Sequence, residues 1–382
     1  MVGVEGIRML ESSSEQKNIV STEFPRDLLP LLRCSRDAGP LVITTELKSG
    51  AVGIIEASLR CNTCAAEYRI EDGIARLMDG LLTPEDEHEM AIRDTLNAHT
   101  QPVGFVPPAY GWRSELSDLL EIPPFLSELE PLDRCRVLEI GCGDGRFTML
   151  MAQMGARIIA IDFSINALRK LAWRLPSGVA PTTFKPVHRY PVADLRGHVG
   201  LVQADINHFH AAQRSFDRAL STTPLDSRDQ RMVMYRNVAE ALTDEGRFIG
   251  SVEHDDLMRR LFGLPIARRY TRGGIFIEHF DITTMRRESA PYFLKLRIRR
   301  IRPRLPLVYR MPLTWAVRMS RMVGAMPALS HLGEILLLRA ERPVRPPVEG
   351  VYRPGNRLVK GIFRWYTRKI GKEPDWDGDD QV

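Results

Sequence analysis

The stretch that most constrains the fold runs from Val137 to Phe147 and reads VLEIGCGDGRF. Its apolar start predicts a buried strand, and Gly141, Gly143 and Gly145 follow at alternate positions before a helical pattern begins. In an open α/β sheet, ligands bind at the carboxyl ends of the strands, and the first strand-to-helix turn must let a ligand approach the backbone closely. The stretch therefore predicts a parallel sheet with a ligand site above this loop.

The region around this loop alternates between strand and helix patterns. Helical periodicity separates the strand-like runs, which are RVLEIG, RIIAID, GLVQAD, FDRALS and RFIGSV. The runs FLKLRIRRI and EILLLRAERP predict two further strands. This rhythm predicts an α/β fold whose mainly parallel sheet carries helices on both faces.

The glycine loop does not fit a dinucleotide. The fingerprint G-x-G-x-x-G requires a glycine at position 146, where the chain has Arg146. The carboxylate of Glu139, just upstream, would also repel a pyrophosphate. A cationic cofactor suits this loop better.

The order E-x-G-x-G-x-G, carried by Glu139 and the three glycines, resembles the first motif of the class I S-adenosylmethionine-dependent methyltransferases. Asp162 and Asp205 end the next two strands, where that family places acids near the ribose hydroxyls and the adenine amino group. The resemblance implies a Rossmann-like fold with a mostly parallel seven-stranded sheet and S-adenosyl-L-methionine as cofactor. It implies that the cofactor contacts Tyr110, Glu139, Gly141, Gly143, Gly145, Asp162, Phe163, Asp205, Ile206 and Ser221.

Each acid also has a structural interpretation. Asp162 would serve as a helix cap, although Ser164 is better placed for that, and Asp205 would be a surface acid. Cys142, between two glycines, is interpreted as a small packing residue because no histidine partner is evident in the sequence. The loop and the two acids together favour cofactor binding.

Methyl transfer from a sulfonium needs alignment and at most one base that takes the acceptor's proton. Glu253 and His254 follow strand RFIGSV, and Asp226 follows the fourth strand. These three residues are the candidate bases. The predicted acceptor is a small molecule, a sugar or a lipid-linked compound of a biosynthetic pathway. RNA, ribosomal or transfer, is the alternative acceptor, and a non-catalytic scaffold or activator is the alternative of another class.

An N-terminal module of short strands contains Cys34-Ser-Arg-Asp37 and Cys61-Asn-Thr-Cys64. Two C-x-x-C knuckles at this separation would indicate a tetrahedral zinc site. The surrounding sequence resembles the zinc-ribbon-like domain related to the tRNA-methyltransferase activator protein, although Asp37 stands where that family has a cysteine. Either Cys34, Asp37, Cys61 and Cys64 bind a structural zinc ion, or the site is degenerate and packing alone holds the module.

We divide the chain into a flexible leader (1–24), the zinc-ribbon-like domain (25–82), a linker or arm (83–109), the methyltransferase domain (110–345) and a tail (346–382). Within the tail, residues 357–372 predict a basic amphipathic helix that docks on the protein itself, on an anionic membrane surface or on nucleic acid. Arginines at 297, 299, 300, 302 and 304 indicate either a charged edge strand or an RNA contact.

Composition limits the class of protein. With 44% hydrophobic and 26% charged residues, the chain is typical of a soluble globular protein. The sequence shows neither a signal peptide nor a run of about 18 apolar residues, so we expect a cytoplasmic protein, with contact at the inner membrane face as an option. Five cysteines, an odd number, argue against a disulfide framework.

Overall fold

The structure is a computed structural model that describes residues 22–78, 84–98, 112–182, 184, 194–222, 228–254, 269–270, 276–277, 280–303, 305 and 308–345. Among the predictions, Tyr110, Asp226, the basic segment 357–372 and most of the leader lie outside these residues. Within the described part of the chain, none of the helices combines the length and apolar content that crossing a bilayer requires.

The strands, in chain order, are β1 (Phe24–Pro25), β2 (Leu41–Ser49), β3 (Gly53–Cys61), β4 (Glu67–Glu71), β5 (Ile74–Arg76), β6 (Arg136–Ile140), β7 (Arg157–Asp162), β8 (Val199–Gln203), β9 (Phe216–Ser221), β10 (Leu242–Glu253), β11 (Arg269–Tyr270), β12 (Phe276–Ile277), β13 (Phe293–Pro303) and β14 (Gly333–Pro343). The helices are α1 (Pro84–Ala98), α2 (Trp112–Leu129), α3 (Thr148–Gln153), α4 (Ile165–Arg174), α5 (Arg228–Ala241), α6 (Ile282–Ser289) and α7 (Leu313–Ala325).

Seven of these strands form the predicted Rossmann-like sheet, in the order β8-β7-β6-β9-β10-β14-β13. β8, β7, β6, β9 and β10 are parallel, and β14 runs antiparallel between β10 and β13. The fold-class prediction is therefore confirmed. Because parallel strands share their carboxyl edge, the residues that follow β6, β7, β9 and β10 lie along one side of the sheet.

The central strands are buried on both faces. Val137 and Ile158 pack in one hydrophobic cluster, whereas Leu138 and Ile159, the next residues along each strand, pack in the other. This alternation is what a parallel sheet covered by helices requires, since both faces exclude water.

The N-terminal strands extend the same sheet. β5 pairs in parallel with β8, and β4, β3 and β1 continue the order outward, with β2 also paired to β3. Phe24 is fully buried, and a Cβ at Gly200 of β8 would lie 2.9 Å from its ring. The absence of a side chain at Gly200 thus lets the N-terminal strands share a core with the rest of the sheet. The division at residue 82 stays a prediction, although the sheet runs across it.

Candidate functional site

The loop after β6 is held against the end of β7 by its own backbone. The N–H groups of Gly141 and Cys142 both donate to the Ile161 carbonyl at 2.9 Å. Gly141, Gly143 and Gly145 all have positive φ, at 72°, 56° and 95°. Only glycine adopts this region without strain, so the three glycines are required by the turn itself.

Gly145 and Gly143 have different surroundings and therefore different roles. A Cβ on Gly145 would lie 2.3 Å from Leu171 Cδ1, so this glycine allows the loop to pack on α4. Within the described part of the chain, a Cβ on Gly143 would meet no atom within 4 Å. Gly143 therefore exposes bare backbone to open space above the carboxyl edge, as a loop that cradles a cofactor must.

Glu139 lies buried beneath the loop. Thr148 Oγ1 at the start of α3 donates to its carboxylate at 2.6 Å. Burial raises the pKa of Glu139 to about 8 because the charged form loses its water. A cationic group nearby would lower this pKa again and favour the ionised carboxylate.

Asp162, the last residue of β7, turns its carboxylate toward the glycine loop. Oδ2 accepts from Gly143 N at 2.8 Å and Oδ1 accepts from Ser164 N at 2.9 Å. Burial raises its pKa, and the two backbone hydrogen bonds oppose that shift. Ser164, as expected, is the cap of α4, because its side chain accepts from Ala167 N. Asp162 thus ties the loop of β6 to the end of β7.

Helix α1, which belongs to the predicted arm, packs against this segment. Asp94 Oδ1 accepts from Ser164 Oγ at 2.5 Å and from Asn166 N at 3.2 Å. The Arg93 guanidinium lies 5.6 Å from the centre of the Phe163 ring. Asp94 is therefore a second, distant cap on α4, and the sequence carried no signal for this contact across 70 residues.

Asp205 and Ile206 follow β8. The Asp205 carboxylate accepts from Asn207 N at 3.1 Å and lies 2.9 Å from His208 Nδ1. These local contacts fit the structural interpretation as well as the cofactor interpretation. Ile206 is partly buried against the core.

Among the residues that the structure describes, two buried side-chain oxygens at the carboxyl edge lack a hydrogen-bond partner, namely Gln203 Oε1 on β8 and Ser221 Oγ on β9. Burying such groups without a partner costs free energy unless a ligand supplies one. Together with the open space above Gly143 and the acids Glu139 and Asp162, they fit a polar cofactor laid along this edge. Cys142 is buried, and burial raises the pKa of its thiol well above the usual range, which fits a packing role.

The candidate bases Glu253 and His254 lie where β10 finishes, and we call this part of the edge the predicted acceptor end. His254 is buried; its Nδ1 lies 2.8 Å from the Phe280 carbonyl, and Arg300 Nε donates to its Nε2 at 3.0 Å. Since Nε2 accepts, the ring proton lies on Nδ1, and both nitrogens are engaged. Glu253 is partly exposed, with Arg302 Nη2 3.9 Å from Oε1.

Arg302, near the end of β13, joins carboxylates from three elements. Besides Glu253 it contacts Glu121 of α2 at 3.2 Å and Glu334 of β14 at 3.1 Å. Glu121 also pairs with Arg146 of the glycine loop at 3.2 Å. Sequence reasoning missed Glu121 and Glu334, because the pairs lie far apart along the chain and no local motif marks them.

The Methyltransferase domain family model matches residues 137–246, from the first strand of the motif into β10. The matched span contains the glycine loop, Asp162 and Asp205. Residues 137–246 therefore match a methyltransferase domain, in agreement with the resemblance that the glycine motif carries.

The known proteins that are similar to this chain match it over short spans or at low sequence identity. Phosphoethanolamine N-methyltransferase 3 of Arabidopsis thaliana is 42% identical over 59 residues, which is 15% of this chain and 12% of that protein. Phosphoethanolamine N-methyltransferase 1 of the same plant is 46% identical over 59 residues, again 15% and 12%. The match thus spans about an eighth of these relatives.

Solved structures similar to this chain include an S-adenosylmethionine-dependent methyltransferase from Mesorhizobium loti. It is 19% identical, with a TM-score of 0.40, and the match covers 61% of this chain and 100% of that one. The 1,6-didemethyltoxoflavin-N1-methyltransferase of Burkholderia thailandensis, solved with S-adenosylhomocysteine, is 14% identical, with a TM-score of 0.39, over 75% of this chain and 98% of that one.

Outside the methyltransferase domain, the two predicted knuckles adopt matching backbones. Cys34 N donates to the carbonyl five residues on, and so does Cys61 N, both at 2.9 Å. In each knuckle the residue four positions after the first cysteine has positive φ, 56° at Ala38 and 59° at Ala65. Asp37 therefore occupies in the first knuckle the position that Cys64 occupies in the second.

The knuckles bring their four side chains together. The ligand atoms of Cys34, Asp37, Cys61 and Cys64 all lie within 4.8 Å of one another. Gly39 N donates to Asp37 at 2.9 Å, and this backbone bond, followed by the Cys34 contact, lowers the pKa of Asp37 to about 2. Three sulfurs and an ionised carboxylate form a donor set that suits zinc.

Proposed function

We propose that the protein transfers a methyl group from S-adenosylmethionine, by direct displacement, to a small-molecule, sugar or lipid-linked acceptor. The residues that would hold the cofactor are the loop glycines, Asp162 and the buried Glu139. When bound, the cofactor supplies an electrophilic methyl on a positively charged sulfur. The protein's part is to align the acceptor and to remove water and one proton.

The pairing of two β13 arginines with carboxylates is the observation that favours a small acceptor over RNA. Arg299 lies 3.0 Å from Glu128, Arg302 pairs with Glu121 and Glu334, and Arg300 donates to His254. Arg299 and Arg302, whose charges are balanced by carboxylates of the protein, have little charge left for phosphates. This supports a small acceptor over RNA.

Glu253 is the better candidate for the base among the predicted residues. Both ring nitrogens of His254 are occupied, whereas the Glu253 carboxylate is partly exposed at the end of β10. A carboxylate there would take a proton from an amine or hydroxyl acceptor. The short likeness to phosphoethanolamine N-methyltransferases favours an amine within this class.

The deciding experiment is transfer of labelled methyl from S-adenosylmethionine into a host extract that is then separated into RNA, protein, lipid and small molecules. We expect label in the small-molecule or lipid fraction, and no label with Gly143→Arg. Label confined to RNA would replace this proposal with the RNA alternative. Absence of both cofactor binding and label would instead favour a scaffold.

Glu253→Gln tests the proposed base. We expect kcat with the identified acceptor to fall by about 100-fold, while the Kd for S-adenosylmethionine stays within twofold, because the carboxylate acts only on the acceptor. An unchanged kcat would remove Glu253 from the reaction.

A second, independent proposal concerns the knuckles: Cys34, Asp37, Cys61 and Cys64 hold a structural zinc ion. The matching backbone of the two knuckles supports it, because the first has kept the metal-binding turn although one cysteine is replaced. A closed site of four protein ligands would stabilise the N-terminal strands and leave no position for substrate.

Metal analysis of the purified protein tests this second proposal. We expect about one zinc per chain, retained in Asp37→Cys and lost in Asp37→Ala, because alanine leaves only three ligands. Thr63→Ala, next to the cluster but outside it, is the control. Absence of zinc in both the natural protein and Asp37→Cys would mean that the site is degenerate and that packing alone holds the module.

A further inference from the structure

Helix α7 and the turn after it expose apolar side chains on one side. Trp315 is 63% exposed and Met322, two helical turns later, is 55% exposed. Met326 and Leu329 continue the exposed apolar surface beyond the helix. The opposite side of α7 buries Ala316, Ser320 and Val323, so the helix is amphipathic but presents its largest residues to solvent. We call this exposed side the α7 face.

The charged residues described on the α7 face and beside it are arginines. Arg318 lies between Trp315 and Met322 on the helix, and Arg310 and Arg321 flank it, all three exposed. Between Pro303 and Glu334 the sequence contains four arginines and no lysine, aspartate or glutamate. An exposed helix with tryptophan, methionine and arginine side by side has the composition of a segment that lies in the headgroup region of an anionic bilayer.

The segment that contains α7 begins and ends near the predicted acceptor end of the site. Pro303 of β13 pairs with Gly333 of β14, so the segment that contains α7 leaves and returns at one edge of the sheet. β10 finishes at the same edge, because Glu253 pairs with Ile335. Leu116 and Leu120 of α2 pack under the helix and fix it there.

We propose that the α7 face is a docking surface for an anionic lipid membrane. Apolar side chains enter the headgroup region, and the arginines bind lipid phosphates. RNA is a poorer fit, since it would use the arginines and leave Met322, Met326 and Leu329 in water. If the acceptor is lipid-linked, docking would hold the acceptor end of the site at the membrane. This link to the acceptor rests on the proposed function, whereas membrane binding by the α7 face does not.

Vesicle flotation of the 382-residue chain tests the surface without requiring methyl transfer. We expect binding to vesicles of phosphatidylcholine with about 30% phosphatidylglycerol, weaker binding at high salt, and little binding to phosphatidylcholine alone. Trp315→Ala with Met322→Ser should weaken binding at least tenfold. Arg310→Glu with Arg318→Glu should weaken it by about fivefold or more per arginine.

The matched control is Val42→Ser with Leu47→Ser, since Leu47 of β2 is 67% exposed and lies on the N-terminal part of the sheet. This control should float as the natural protein does, and thermal melts should show all variants folded. Natural protein that fails to bind anionic vesicles would overturn the proposal. So would loss of binding in Arg364→Glu with Arg368→Glu while both α7 variants bind normally, because the contact would then belong to the C-terminal segment.

Two further results would also overturn it. A dimer in sedimentation equilibrium that Trp315→Ala with Met322→Ser dissociates would make the α7 face a contact between copies of this chain. RNA binding that is lost with the arginines but kept in the apolar variant would make it a nucleic-acid surface.

Discussion

The two ends of the carboxyl edge are built in different ways. At the predicted cofactor end, which comprises the glycine loop and Asp162, backbone N–H groups and glycines make most of the contacts, as in the bond from Gly143 to Asp162. At the acceptor end, long side chains from separate elements pair with one another, as in the contacts of Arg302 with Glu121 and Glu334. A site made of backbone is specified by local sequence, whereas one made of side-chain pairs is specified by the whole fold.

The largest expected effect comes from filling the cofactor end. Gly143→Arg should abolish S-adenosylmethionine binding, by more than about 1000-fold, because its side chain enters the open space above the loop. The positive φ adds a strain of about 1–2 kcal/mol to folding. Calorimetric titration measures the first effect and a thermal melt the second.

Gly197→Arg is the matched control, since a Cβ at Gly197 also meets nothing within 4 Å and its φ is not positive. We expect this variant to bind the cofactor normally. Comparable cofactor affinity in Gly143→Arg would show that the cofactor lies elsewhere.

The acceptor end should respond in stability rather than in cofactor binding. Arg302→Met leaves Glu121 and Glu334 without a shared cation, and we expect a loss of about 3 kcal/mol in the free energy of unfolding. The Kd for S-adenosylmethionine should stay within twofold, because no atom of Arg302 lies within 4 Å of a Cβ at Gly143. Denaturant unfolding and calorimetric titration measure the two quantities.

Arg297→Met, an exposed arginine of the same strand, should change stability by less than about 0.5 kcal/mol. Equal losses in the two variants would mean that the Arg302 pairs contribute nothing specific. A large rise in the cofactor Kd of Arg302→Met would show that the two ends are coupled.

The same contrast explains what the sequence could and could not predict. The order of strands, the glycine loop and the position of Asp162 follow from local patterns, and the fold was predicted from them correctly. Glu121 and Asp94 left no such pattern, because each meets its partner only after the chain has folded. The continuity of β5 with β8 was equally hidden, since nothing local reveals which strand a sheet edge accepts.

Glu139, at the predicted cofactor end, should make the stability of the protein depend on pH. Its pKa of about 8 exceeds the ordinary value of 4.5 because it is buried. The folded protein therefore holds a proton that the unfolded chain releases, so stability should fall as pH rises between about 4.5 and 8, by up to about 1.4 kcal/mol per pH unit. Urea unfolding across this range should show a shallower decline in Glu139→Gln.

S-adenosylmethionine is cationic, so its binding should lower this pKa and release part of a proton at pH 7. Titrations in buffers of different ionisation enthalpy measure that release, which Glu139→Gln should abolish. Proton release that persists in the variant would assign it to another group.

The smallest effect is expected at the arm. Asp94→Ala removes the acceptor for Ser164 Oγ and Asn166 N, next to Asp162, so we expect the Kd for S-adenosylmethionine to rise about fivefold, equivalent to about 1 kcal/mol. Asp94→Asn keeps an acceptor oxygen and should recover most of the affinity.

Thr95→Ala should leave both affinity and stability unchanged, because the Thr95 hydroxyl donates to the Ala91 carbonyl within α1. If Asp94 merely stabilised the fold, Asp94→Ala would lower the melting temperature without altering the Kd, and Asp94→Asn would rescue nothing in binding. A Kd that rises and is rescued would instead place part of the cofactor end outside the local motif. Cofactor affinity would then depend both on the local glycine motif and on the long-range contact between α1 and α4.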